Sequence, residues 1–213
     1  MSQQLELVLA SANLHKVAEI EEIFTSLMPE CKLLARPGLN EVPDVDENAD
    51  TLVGNAKLKA LAIMNATQKP ALADDTGLFV VALNGAPGVH SARFAGDEIR
   101  SDGSNRDAAN RALLLHRLHG EPDRRAEFRS VMVVAWPNAS GVTTWTIAEG
   151  VLAGAIATAE RGANGFGYDQ LFIPEDSTVT YAEMDTDAKN SISHRRRAVE
   201  ALIRSISESH LND

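Results

Sequence analysis

Two carboxylates stand side by side at Asp74 and Asp75, directly after the apolar run Ala71-Leu72-Ala73 and ahead of Thr76-Gly77. Like charges that close repel one another unless a cation neutralises them, and Mg²⁺ prefers hard oxygen ligands of this kind. A buried strand ending at the pair would put it where open α/β sheets hold their ligands, beyond the C-terminal ends of the strands. Asp-Asp-Thr-Gly is also good turn chemistry, and taken alone the solvated turn is the better reading. The acidic loop 37–50 adds Asp44, Asp46, Glu47 and Asp50. Either one of these completes a metal site, or together they line an acidic surface.

Three further groups carry chemistry. Ser11-Ala12-Asn13-Leu14-His15-Lys16 follows the apolar run Leu5 to Ala10. A helix beginning there aims backbone N–H groups and the positive end of its dipole at one point, and Lys16 adds a mobile cation suited to a phosphate tail. The Gly-x-x-x-x-Gly-Lys spacing of a Walker A loop is absent. An N-cap followed by a surface lysine accounts for the same residues. Gly165-Phe166-Gly167-Tyr168-Asp169 sets an aromatic between glycines, where a flat ligand can approach the backbone and stack on Phe166, or where Phe166 simply joins the core. Lys189, Ser193, His194 and Arg195 gather donors where the last helix begins. Cations at that end oppose the dipole, which fits either an anionic or acceptor-rich partner or a solvated basic surface.

The elements that position these groups follow from hydrophobic spacing. Strand, polar turn and amphipathic helix open the chain, with Val17, Ile20, Ile23, Phe24 and Leu27 on one helical face. Pro29 stops that helix, Lys32 to Ala35 can form a second strand, and Thr51 to Ala66 reads as a helix. Ala71 to Ala73 is a strand that ends at the acid pair, with extended structure resuming over Leu78 to Leu83. Asn105 to His119 is helical, with Ala109, Leu113, Leu114 and Leu118 as its stripe. Ala126 to Trp136 and Val142 to Ala148 form a hairpin around Pro-Asn-Ala-Ser-Gly. The flexible loop 162–167 leads to Leu171-Phe172-Ile173, and a last helix runs from about Ser193 to Glu208. This is one mixed α/β unit whose loops collect at one cleft.

Composition narrows the partners. Thirty Asp and Glu against twenty Lys and Arg leave a net charge of −10, a field that repels nucleic-acid backbones. No apolar run approaches the ~20 residues that span a membrane, and the N-terminus lacks the pattern of a signal peptide. The single cysteine, Cys31, excludes an internal disulfide and a multi-thiolate zinc site. The expected compartment is the cytosol and the expected partner a small molecule.

Taken in order, the motifs resemble one family. Ser-x-Asn-x-x-Lys at 11–16, Thr-x-x-x-Asn-Ala-x-x-Lys-Ala at 51–60 and Ala-Asp-Asp-Thr-Gly-Leu at 73–78 come first. Gly-Ala-Pro-Gly-Val-His-Ser-Ala-Arg-Phe at 85–94, Gly-Phe-Gly-Tyr-Asp at 165–169 and Ser-His-Arg at 193–195 follow. The series is similar, over about residues 7 to 205, to the inosine triphosphate pyrophosphatase family, the Ham1-like non-canonical purine NTP pyrophosphatases. The resemblance implies an elongated, mixed, twisted β-sheet flanked by helices, in two lobes with the active-site cleft between them, residues 1–213 forming a single domain and a homodimer.

It also implies Mg²⁺-dependent hydrolysis of ITP, dITP and XTP to the monophosphate and pyrophosphate. Carried over by position, Ser11, Asn13 and Lys16 grip the triphosphate, and Glu47 and Asp75 hold the metal. Asp75 is the proton acceptor, with Asp74 beside it in the catalytic pocket. Thr76 stands where the family often has Ser and contacts substrate. Phe166, Gly167, Tyr168, Asp169, Lys189, His194 and Arg195 surround the nucleoside. Hypoxanthine and xanthine offer a 6-carbonyl to such donors, whereas adenine offers an amino group that would meet donors. One departure is Gly54, where the family commonly carries an acid. Two alternatives are a Maf-type pyrophosphatase of other base preference and a nucleotide sensor without catalysis. The homodimer has a candidate interface in the hairpin bearing Trp136 and Trp145, which core packing explains as well.

Overall fold

A computed structural model describes residues 4–35, 45–96, 103–138 and 141–210. The chain divides into two compact units, one of Met1–Asp75, Ser130–Gly150 and Arg195–Asp213, the other of Thr76–Arg129 and Val151–His194. Its strands form a mixed sheet of order β2-β1-β3-β5-β6-β7, with β4 paired to β3, and five α-helices accompany it among the described residues.

The first unit opens with β1 (Glu6–Leu9), α1 (Leu14–Leu27), β2 (Lys32–Leu34) and α2 (Leu52–Thr67). β1 runs parallel to β2, Glu6 opposite Lys32, and parallel to β3, Leu9 opposite Leu72. Consecutive parallel strands reached through helices and lying on opposite sides of β1 make the β1–β3 junction a topological switch point, the place where such sheets receive ligands. The expected face of α1 is the buried one. Ile20, Ile23 and Phe24 pack with Leu7, Leu9, Leu72, Met132 and Val134, and with Val199, Leu202 and Ile206 of the last helix. Each such side chain contributes about 1.5–3 kcal/mol of burial free energy. Trp136 packs against the same core and donates its indole N–H to Thr146 Oγ1 at 2.8 Å.

β3 (Ala71–Val80) corrects the reading of its sequence. It does not stop at the acid pair. The ladder runs through Asp74-Asp75-Thr76-Gly77 without a turn, and extended structure ends at Val80, with Val81–Leu83 as a 3₁₀ turn. Gly77 is a close-approach glycine: Leu78 pairs with Gly88 of β4 (Pro87–Gly88), and a Cβ on Gly77 would lie 2.5 Å from the Gly88 carbonyl oxygen.

In the second unit α3 (Gly103–Arg117) buries Leu114, and Leu118 follows it into the core formed with Leu78, Val80, Phe128, Leu152, Leu171, Phe172 and Tyr181. β5 (Arg125–Trp136) and β6 (Thr144–Ile156) are adjacent in the sheet as expected, although β6 continues well past Ala148. β7 (Phe172–Pro174) pairs antiparallel with the end of β6. A short α4 (Thr186–Ile192), capped by Asp185 accepting from the Ala188 N–H, precedes α5 (His194–His210) and has no counterpart in the sequence reading. No described helix is long and apolar enough to cross a membrane. Asp44, and Ala139-Ser140 of the hairpin turn, lie outside the described residues.

Candidate active site

Successive residues of a strand face opposite ways, and Asp74 and Asp75, both buried, have different partners. Asp74 Oδ2 lies 2.8 Å from Lys16 Nζ. That lysine is aimed by the start of α1. Asn13 caps the helix, its Oδ1 accepting from the N–H groups of His15 at 3.0 Å and Lys16 at 3.2 Å, while Ser11 Oγ accepts from Asn13 N–H at 3.3 Å. Asp75 Oδ1 lies 3.1 Å from Lys59 Nζ, and its Oδ2 accepts from Asn55 Nδ2 at 3.4 Å. Lys59 reaches Glu47 as well, 3.2 Å from its Oε2.

Asn55 and Lys59 sit four residues apart on one face of α2 and were not singled out by the sequence reading. Their signal lay in the Thr51–Ala60 motif, where an amide and an ammonium stand at helical spacing. Asn55 also binds the acidic loop, its Oδ1 accepting from the Ala49 N–H at 2.9 Å. Gly54 makes that approach possible. A Cβ there would lie 2.6 Å from Ala49 Cβ, so the missing acid at this position is bound up with how closely the Glu47 segment packs on α2. Asp46 and Asp50 are exposed.

The two carboxyls titrate in opposite directions. Burial pushes Asp74 up, but Lys16, Arg195 and Lys59 more than reverse it and hold the carboxyl well below its ordinary value. Burial also pushes Asp75 up, the nearby Glu47 charge adds to this, and Lys59 and Lys16 do not fully offset it, so this carboxyl is raised. Lys59, though buried, is raised by Asp75, Asp74 and Glu47. The repulsion expected between adjacent carboxylates is therefore relieved first by lysines, one for each.

Glu47 and Asp75 both face one ammonium nitrogen, so they face one point in space. Among the described residues no three acidic, histidine or cysteine side chains gather as a closed metal shell. Two convergent carboxylates nevertheless fit Mg²⁺, which commonly takes one or two from the protein and completes its shell with water and substrate phosphates.

In the second unit the segment Gly165–Asp169 folds on its own carboxylate. Asp169 Oδ2 accepts from the Phe166 N–H at 2.9 Å and from Lys189 Nζ at 2.7 Å. The Lys189 ammonium lies 5.0 Å from the Phe166 ring centre and 5.5 Å from that of Tyr181. His194 is buried and stacks on Phe128, centroids 4.6 Å apart with planes within 15°. Tyr168 gives its hydroxyl to the Ser91 carbonyl at 2.9 Å. Phe166 and Gly167 are half-buried, as is Thr76 on β3.

Arg195 belongs to the first unit, where it is buried and paired with Glu19 of α1. Arg196 pairs with Glu200 at 2.8 Å. Arg195 and Arg196 thus find acids of the same chain, and their presence there does not by itself call for an external anion.

The chain is similar along most of its length to known proteins. It is 41% identical over 199 residues to a dITP/XTP pyrophosphatase of Lactobacillus johnsonii, covering 92% of each chain. It is 43% identical over 205 residues to a dITP/XTP pyrophosphatase of Aromatoleum aromaticum, covering 96% of this chain and 98% of the other. A solved HAM1 protein from Coxiella burnetii superposes with a TM-score of 0.81 at 40% identity, over 96% of this chain and 99% of that one. The sequence profile of the Ham1 family matches residues 7–205, and on that extent of similarity the chain belongs to the Ham1 family.

Proposed function

We infer that the protein hydrolyses the non-canonical purine nucleoside triphosphates dITP, XTP and ITP to the monophosphate and pyrophosphate, removing deaminated purines from the nucleotide pool. One observation carries the chemistry: a buried carboxyl of raised pKa, Asp75, set between Lys59 and Glu47 beside a second carboxylate, Asp74, held firmly ionised. A carboxyl raised above its ordinary value is a better proton acceptor than an unshifted one, and water is the proton donor in an anhydride hydrolysis. Asp75 therefore serves as base and Asp74 keeps Lys16 in place. Ser11, Asn13 and Lys16, at the positive end of α1, take the triphosphate.

Glu47 and Asp75 would hold Mg²⁺, which when bound supplies charge neutralisation on the phosphate oxygens. Thr76 contacts the substrate next to the base. Phe166, Gly167, Tyr168 and Asp169, with Lys189, His194 and Arg195, serve the nucleoside. Phe166 offers a stacking face, and the donors favour a purine with a 6-carbonyl over one with a 6-amino group. Gly-Phe-Gly-Tyr-Asp and Ser-His-Arg together favour this substrate class over other bases. The whole chain acts as one such domain, working in the cytoplasm as a homodimer.

The test is a nucleotide panel with Mg²⁺ and pyrophosphate readout. Release from dITP, XTP and ITP is expected to be at least ~10²-fold faster in kcat/KM than from ATP or GTP. Equal rates on all would refute the base preference. Tight binding without release would make the protein a sensor instead.

A further inference from the structure

The motif at 85–94 and the loop at 165–169 are both tied to one face of α3. Asp107, Asn110 and Arg111 lie three and four residues apart and so share that face. Asp107 Oδ2 accepts from the Gly167 N–H at 2.7 Å, and Arg111 Nη1 donates to the Gly167 carbonyl at 2.9 Å. One helix thus engages both polar groups of Gly167, a residue at φ 60°. Arg111 is itself steadied by Glu160, 3.0 Å from its Nε.

Asn110 holds the other motif, its Oδ1 accepting from Ala95 N–H at 2.8 Å and its Nδ2 donating to the Ala92 and Ser91 carbonyls at 3.2 and 3.4 Å. Tyr168 closes the arrangement through its bond to the Ser91 carbonyl. Within the loop, Asp169 grips the Phe166 N–H, and a Cβ on Gly165 would run into the Asp169 carboxylate. The backbone that carries the Phe166 ring is therefore held from both sides, by Asp169 within the loop and by Asp107 and Arg111 from α3.

We propose that Asp107 and Arg111 are positioning residues for purine recognition, acting by clamping the Gly167 peptide so that Phe166 is presented to the base. This rests on the reading of the Gly165–Asp169 loop as the nucleoside-contacting segment. A clamp on a base-binding loop acts on substrate affinity and leaves the proton transfer at Asp75 alone, so its loss raises KM more than it lowers kcat.

The experiment compares steady-state kinetics of dITP hydrolysis by Asp107→Ala, Arg111→Met, Asp107→Asn and Phe166→Ala, with thermal unfolding of each. Asp107→Ala and Arg111→Met are expected to raise KM about tenfold, the ratio that corresponds to 1.4 kcal/mol, with kcat within about twofold. Asp107→Asn retains a carbonyl acceptor for the Gly167 N–H and is expected to restore KM to within about threefold. A structural role alone would instead lower the unfolding temperature and leave KM unmoved in the folded fraction. A wild-type KM in folded Asp107→Ala and Arg111→Met, while Phe166→Ala raises it, overturns the clamp and leaves the loop reading intact. An unchanged KM in Phe166→Ala overturns the loop reading, and the clamp's role in recognition with it.

Discussion

Replacing Lys59 by Met tests the charge arrangement around Asp75 directly. The variant keeps the length and apolar stem of the side chain and removes the ammonium that lies 3.1 Å from Asp75 and 3.2 Å from Glu47. Side-chain exposure is 14% for Lys59, 8% for Asp75 and 40% for Glu47. The Glu47 pair is therefore solvent-screened and worth less than ~1 kcal/mol, and the Asp75 pair dominates. Removing one partner of a buried pair costs about 3–5 kcal/mol, because the other charge is left uncompensated. Lys16 still lowers the carboxyl, and Asn55 still donates to it, which puts the expected loss at the low end, about 3 kcal/mol.

For a chain of this size each kcal/mol moves the unfolding midpoint by about 2–4 °C, so a fall of roughly 6–12 °C is expected in metal-free buffer at pH 7. The sign with pH follows from linkage. Lys59 is raised in the folded state, so its contribution is complete below the ordinary lysine range and is lost only as pH rises through it. The gap between wild type and variant is thus fully open at pH 7. It narrows on acidification, because the orphaned Asp75, whose carboxyl is already raised and moves further up without Lys59, takes up a proton in the folded state. Circular-dichroism melts from pH 4 to 8 measure both quantities. A midpoint within about 2 °C of wild type at pH 7, or a gap that does not change with pH, would refute the charge reasoning.

Asp75→Asn removes the proposed base without changing volume, and kcat for dITP is expected to fall by at least ~10² with the far-ultraviolet spectrum preserved; substantial residual turnover would move the base elsewhere. Gly54→Ala sets a helix-propensity gain of about 1 kcal/mol against overpacking of about 1–3 kcal/mol, since its Cβ would lie 2.6 Å from Ala49 Cβ. A net loss of stability and a higher Mg²⁺ concentration for half-maximal rate are expected, and a stabilised variant with unchanged metal response would show that the Glu47 segment is placed independently of Gly54. Burial, with Asp107 nearby, pushes the Tyr168 hydroxyl above its ordinary value of 10.0. The unfolded phenol therefore ionises first, and stability drops as pH rises past about 10, by at most about 1.4 kcal/mol per pH unit. Tyr168→Phe should show a shallower decline between pH 9.5 and 11 by urea unfolding, together with a loss near 1 kcal/mol at neutral pH for the bond to Ser91; an identical slope would mean the hydroxyl is not buried.

Much of the fold was legible because it rests on local periodicity. The face of α1, the stripe of α3 and the hairpin of β5 and β6 are each encoded within one segment. β3 was misread because Asp-Asp-Thr-Gly has turn-forming chemistry on its own, whereas the partners that let it stay extended, Lys16 and Lys59, arrive from two different helices. The same distance in sequence hid Lys59, a lysine on a helix that reads as solvated until its neighbours are known. α4 has only seven residues, too few for an apolar period to stand out, and its local signs are confined to the cap at Asp185, Asp187 in the first turn and Lys189 in the last. Of the site, residue types and order were readable, and the motif series led to the family. Which carboxylate meets which cation was not, and neither was the pairing of Arg195 with Glu19.

That missing information changes what the acid pair means. Side by side in sequence, Asp74 and Asp75 look equivalent, and a single cation between them is the economical explanation. On a strand they diverge, and each environment pushes its carboxyl a different way: Asp74 down under Lys16, Arg195 and Lys59, Asp75 up under burial and Glu47. Titratable neighbours with separated pKa values mark a division of labour. A carboxylate as firmly ionised as Asp74 is a poor proton acceptor and a good anchor for Lys16, whereas Asp75 is the one of the two that takes up a proton more readily. If that division is real, Asp74→Asn should lower kcat less than Asp75→Asn and act through Lys16, so that Lys16→Met combined with Asp74→Asn costs little more than Lys16→Met alone. Measured kcat/KM values for the two single variants and the double variant decide it. Full additivity would mean that Asp74 contributes to turnover by some route other than the lysine it holds.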